Sequence, residues 1–233
     1  MHSALWLALP LALLVPACGG DSTDTPAKDA GADAPSYEPM PVDGSTCGAV
    51  LQHYPLLPSP HVAECSLVEY SSNPPTSGPH YGFWAEFGIY DQAIPRGFWV
   101  HAMEHGAVVV AYSCTDCGSE VDAAKTWIAQ LSADPLCLKT SSVKRRVILT
   151  PDPLLPTRWA AAAWGVTLRS DCFEPDVFSD FYYAHEGKGP ENICSDGVTL
   201  INEDGGLVVP SDCGESDGGV EAGFDGGFME AGL

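Results

Sequence analysis

The sequence predicts one α+β domain, an antiparallel or mixed sheet with helices packed on it, stapled by disulfides and carried between two tails that cannot fold alone. Three observations predict it. Between Phe98 and His185 the hydrophobic pattern changes period in the order strand, helix, strand, strand, helix. Eight cysteines remain once Cys18 is assigned to a leader, an even number that suits disulfides in an exported chain. The acids gather at the ends: residues 19–46 carry six acids against Lys28 alone, and residues 203–233 carry eight acids and no base.

The 233 residues have room for one ordinary domain plus tails. The net charge of −21 is mostly a property of those tails, so the middle is acidic but unexceptional. Such a balance excludes nucleic acid as a partner, because displacing counterions from phosphate requires Lys and Arg. It argues equally against electrostatic docking on anionic lipid.

At the N-terminus the apolar run Ala4–Ala17 is too short to span a bilayer and has the length of a signal-peptide core. It ends Leu14-Val15-Pro16-Ala17-Cys18, which resembles a bacterial lipobox whose cysteine is lipidated. The absence of Lys or Arg before the run and the presence of Pro16 depart from that pattern. An ordinary secretory signal cut near Ala17 is the alternative. Both readings export the protein. Residues 1–17 are expected to be a signal peptide and Cys18 a lipid anchor to the membrane. Residues 18–46 then form a flexible acidic linker, 47–202 the globular domain, and 203–233 a Gly/Asp-rich disordered tail. Gly19 and Gly20 replace the aspartate that retains lipoproteins at the inner membrane, which favours the outer membrane, with the domain facing the periplasm or exterior.

The elements follow in order. Residues 49–53 read as a short strand or a helical turn, and Cys65–Tyr70 alternates as a strand. The loop from Asn73 to Tyr81 packs three prolines and a glycine into nine residues, a stiff support for His80. Phe98–Cys114 is Val-rich and reads as one long strand, with Gly106 inside it marking a bulge or a close backbone approach. Glu120–Leu131 sets Val121, Ala124, Trp127, Ile128 and Leu131 at helical spacing, with Ser119 as N-cap. Lys144–Thr150 reads as a strand. Arg158–Leu168 reads as a returning strand despite four consecutive alanines. Pro175–His185 opens with proline and carries an aromatic face, so it reads as a helix.

Candidate chemistry concentrates between His61 and Tyr112. On a strand, His101, Met103 and His105 line one face. Two imidazoles flanking a thioether suit copper, with zinc the second choice. His80 and His61 are placed to add further imidazoles. The alternative is that these histidines are structural and the domain is a non-catalytic envelope interaction module displaying Phe83, Trp84, Phe87 and Trp99. His101-Ala102-Met103-Glu104-His105 also matches H-x-x-E-H, a zinc-peptidase signature that requires a helix. Cys114-Thr115-Asp116-Cys117, between a strand and a helix, admits a thiol–disulfide oxidoreductase. The other reading is that all eight cysteines, Cys47, Cys65, Cys114, Cys117, Cys137, Cys172, Cys194 and Cys213, form structural disulfides. Asp91, Glu86 and Glu104 are candidate acids or bases without convincing partners. No protein partner or small-molecule substrate is legible.

His61-Val62, Pro74–Tyr81 (PPTSGPHY), Gly88–Asp91 (GIYD) and Val100–Tyr112 (VHAMEHGAVVVAY) resemble the bacterial domain-of-unknown-function 3105 family. Later blocks, VILTPDP, AAWG and KGPE, are similar to its weaker C-terminal motifs, so the resemblance covers roughly residues 61–191. It implies an exported, often membrane-anchored domain without an established activity. The family's histidines fall on His61, His80, His101 and His105. Met103 stands where many members have leucine, and the cysteine framework is an addition of this chain.

Overall fold

The structure is a computed structural model and describes residues 37–140 and 144–208. The chain runs β1 (Met40–Pro41), β2 (Val50–His53), β3 (His61–Val62), β4 (His80–Tyr81), β5 (Gly88–Ile89), α1 (Arg96–Glu104), β6 (Val108–Tyr112), α2 (Gly118–Gln130), α3 (Cys137–Thr140), β7 (Val147–Pro151), β8 (Trp159–Ala163), β9 (Val166–Ser170) and α4 (Pro175–His185). Seven strands form one mixed sheet in the order β1-β2-β9-β8-β6-β7-β5. β6, β7 and β5 are parallel, and the remaining pairs are antiparallel. β3 and β4 make a separate parallel pair in which His61 stands opposite His80. The α+β class is therefore as the sequence predicts.

The centre of the sheet is covered on both faces. Along β6, Val108 and Val110 enter the apolar cluster under α2 and α4, while Val109 enters the cluster under α1. Along β7, Val147 and Leu149 take the first side and Ile148 the second. A strand buried on both faces has no polar alternation, which explains the unbroken apolar character of the segment from Ala107 to Tyr112. Trp159 anchors the first cluster and Trp99 the second, both fully buried. Removing a side chain of that size from water contributes on the order of 5 kcal/mol.

Several expected boundaries are corrected. Phe98–Cys114 is not one strand: its first half is helix α1, and the strand starts only at Val108. Every residue from Gly97 to Glu104 is buried, so the helix carries no solvent-facing stripe to betray its period. Gly106 is the glycine that ends this helix rather than a bulge, and the close backbone approach expected there is present, since a Cβ on it would lie 2.8 Å from the Gly187 Cα. Gly106 has φ +90°, its N–H donates to the Met103 carbonyl at 2.9 Å, and the Ala107 N–H donates to Ala102 at 3.0 Å. That double bond pattern around a left-handed glycine is a Schellman terminus. Cys65–Tyr70 forms no strand. α2 starts at Gly118 with Cys117 at the cap position, so Ser119 is already inside the helix. The alanine run is β8, turned into β9 by Trp164 and Gly165, the glycine at φ +77°. α4 spans the residues expected of it, with proline in its first turn.

Residues 40–41 pair with β2, and Glu174 accepts hydrogen bonds from Ser45 and Thr46. At the other end, Val208 donates to the Leu200 carbonyl. Disulfides link Cys47 to Cys172, Cys114 to Cys117 and Cys137 to Cys194, and Cys65 is disulfide-bonded. The segment expected to be a signal peptide, Cys18, Cys213 and most of the acidic tail lie outside the described residues. Among the described residues no helix is long and apolar enough to cross a membrane.

Candidate metal centre

The stiff loop before β4 delivers His80 into the interior. Gly78, at φ +115°, turns its carbonyl back so that His80 Nδ1–H donates to it at 2.9 Å. β4 then continues one residue to Tyr81, whose carbonyl accepts from His101 Nδ1–H at 2.7 Å. A carbonyl can only accept, so both rings carry their proton on Nδ1 and, when neutral, present a bare lone pair at Nε2. His101 is neutral at ordinary pH. Burial above all holds it down to about 4, against the pull of the Tyr81 carbonyl, and His80, His105 and His61 add to the shift.

α1 supplies the other side. In helical register His101, Glu104 and His105 share one face, since residues three and four apart stack above one another. Glu104 Oε2 lies 3.1 Å from His80 Nε2, and Ser59 Oγ donates to Glu104 Oε1 at 3.2 Å. His80 is fully buried, and its Nε2 makes no properly directed hydrogen bond among the described residues despite that short approach. An imidazole lone pair facing a carboxylate oxygen is unfavourable unless a cation, either a proton or a metal ion, lies between them.

His61, across from His80 on β3, completes the arrangement from the exposed side. Ring centroids stand 5.1 Å apart for His61–His80, 4.8 Å for His61–His101 and 4.7 Å for His80–His101. His61, His80, His101 and Glu104 bring one potential ligand atom each to within 4.8 Å of one another. Three imidazole nitrogens and one carboxylate oxygen suit zinc, copper(II) or iron(II). Nδ1 bonds to backbone carbonyls are the outer-shell pattern that fixes the tautomer of a ligating histidine. The residues present fit a divalent transition ion.

His105 stands beside this group, its centroid 4.7 Å from His101 and 4.4 Å from Trp84. Its Nε2 lies 3.2 Å from Glu191 Oε2. Burial lowers its basicity, while Glu191 and Glu104 raise it in part. Arg146, almost wholly buried, donates to the His105 carbonyl at 3.0 Å and pairs with Asp134 at 2.6 Å.

All four histidines expected from the sequence thus converge, but Met103 does not line a face with them. It is fully buried in the apolar cluster with Phe98 and Trp99, and two positions along a helix turn it about 200° from His101. The zinc-peptidase spelling sits on a real helix, yet His101 and His105 fall into different ligand groups. Glu86 accepts from Thr199, and Asp91 pairs with Lys125 at 2.8 Å, so neither joins the site. Glu104 entered the sequence reading as the glutamate of H-x-x-E-H and as an unpartnered acid, and Glu191 only as a letter of KGPE. The helical spacing of H-x-x-E-H and the glycine after it held the signal for Glu104. Glu191 had no local signal.

No curated protein and no solved structure is detectably similar to this chain. One family, described as "Protein of unknown function (DUF3105)", matches residues 61–196. That span is more than half of the sequence and contains every residue of the histidine cluster together with Glu191, and the chain belongs to this family.

Proposed function

We propose that the protein is an exported, lipid-anchored domain that binds one divalent first-row transition ion through His61, His80, His101 and Glu104. The single observation that carries this is the convergence of three imidazoles and a carboxylate. Two of the buried rings have their Nδ1 committed to carbonyls and their Nε2 left for a cation. With Met103 in the core, the thioether argument for copper(I) falls away. Copper remains the first choice for a different reason: copper(II) heads the affinity order for a nitrogen-rich site, and zinc is kept as the second choice. The export reading is supported by the apolar run before Cys18 and by disulfides, which persist in oxidising compartments. Cys18→Ser is expected to release the protein from the membrane fraction.

The test is metal analysis of the full chain, purified without a histidine tag and titrated with copper(II) and with zinc. His61→Ala tests the site without emptying the core, because His61 is the exposed ligand. Outer-shell changes alone cost roughly 10–100-fold in affinity, so loss of a direct ligand is expected to weaken binding at least tenfold. His80→Ala should abolish it. Failure to bind either ion, or unchanged affinity in both variants, overturns the reading.

A further inference from the structure

We propose that the protein holds a second metal ion beside the first, with Glu104 as the bridging carboxylate and His105 and Glu191 as the second ion's own ligands. This rests on the metal-binding reading above. Glu104, His105 and Glu191 bring one ligand atom each to within 4.8 Å of one another, and Glu104 belongs equally to the group made with His61, His80 and His101. Two ligand groups joined through one carboxylate is the arrangement of a two-metal site, where each oxygen of the bridge serves one ion.

Glu191 is not a stray surface acid. Its backbone N–H donates to the Glu104 carbonyl at 3.0 Å, which fixes the segment against the end of α1. Gly189, two residues earlier, packs so tightly on that end that a Cβ there would run into the Glu104 and Met103 carbonyl oxygens. Arg146 ties the same two segments together, donating to the His105 carbonyl at 3.0 Å and to Asn192 Oδ1 at 2.5 Å. A simple ion pair accounts for the 3.2 Å approach of His105 to Glu191. It does not account for Glu104 standing in the same group. Nor does it use the rest of the His105 ring, whose buried Nδ1 has no hydrogen-bond partner among the described residues.

The two positions differ in kind. The first offers four ligands, three of them imidazoles, and is nearly closed. The second offers three, two of them carboxylates, and Glu191 is 54% exposed, so its free coordination positions face solvent. A three-ligand site open to water is the one at which an oxygen ligand, water or a small oxyanion, can bind.

The experiment loads the full, untagged chain with copper(II) by dialysis, counts bound copper by plasma mass spectrometry, and integrates the electron paramagnetic resonance signal. Two copper(II) ions bridged by a carboxylate couple their spins. Wild type is expected to hold two equivalents with a signal well below two spins. Glu191→Gln, on the exposed ligand, is expected to hold one equivalent at full intensity. One equivalent in wild type, unchanged in Glu191→Gln, rejects the second ion and leaves the first standing. Two uncoupled equivalents, or loss of both in Glu191→Gln, reject the bridge. No bound copper in either protein removes the underlying metal reading as well.

Discussion

Replacing Gly106 by alanine probes the joint on which the site depends, where α1 stops and β6 begins. Two costs add. Gly106 has φ +90°, a conformation that costs an L-residue about 1–2 kcal/mol. A Cβ there would also lie 2.8 Å from the Gly187 Cα and 2.9 Å from Arg146 Nη1. The Gly187 backbone cannot swing aside, because its N–H is bonded to the Gly106 carbonyl at 2.8 Å. Overpacking of this kind adds roughly 1–3 kcal/mol, for a total of about 2–5 kcal/mol. Gly165→Ala is the matched control. It has φ +77°, but its Cβ would meet only the Cδ2 tip of Leu56, a side chain 60% exposed and free to move. It should therefore lose only the conformational part, about 1–2 kcal/mol. Urea unfolding followed by tryptophan fluorescence reads both. With a slope near 2 kcal/mol/M, the Gly106→Ala midpoint should fall by roughly 1–2.5 M. Equal losses in the two variants would refute the claim that the helix end is locked against the Gly187 backbone.

Three further outcomes are expected. Arg146→Met strands Asp134, which is buried at the other end of a 2.6 Å ion pair, and should cost about 3–5 kcal/mol in urea unfolding, with Asp134→Asn in the same background recovering part. Burial holds both His101 and His185 down to about 4 from the usual 6.5, and His53 adds to the shift of His185. The unfolded chain therefore takes up protons first as pH falls. Stability of the metal-free protein is fully present above about pH 6.5 and is lost towards pH 4, and His185→Gln should flatten that slope; a midpoint independent of pH across this window contradicts it. Removing Cys47–Cys172, which closes a separation of 125 residues, should cost about 5 kcal/mol on chain entropy, whereas removing Cys114–Cys117, separated by three, should cost no more than about 2 kcal/mol. Calorimetric melting of the two double-serine variants orders them, and the reverse order contradicts the entropic account.

The sequence by itself determined the class of the fold, the extent of α4, the presence of β7, β8 and α2, and the identity of the four histidines. These follow from patterns that survive without neighbours: proline at a helix start, β-branched runs, apolar spacing, and residue types with few other uses. Tertiary structure alone decided that Phe98–Glu104 is a helix. Its residues are buried on every side, so its 3.6-residue period never shows as a polar face, and the valines after Gly106 lend the whole stretch the look of a strand. That one change of period rearranged the site. On a strand Met103 lies between two histidines; on a helix it turns into the core, and Glu104 takes its place beside His80 and His101. The partnership of Glu104 with Glu191 was also beyond the sequence, because it joins residues 87 positions apart through a backbone hydrogen bond and a buried arginine. Local pattern names the ligands that a helix or loop presents. Only long-range packing decides which of them face one another.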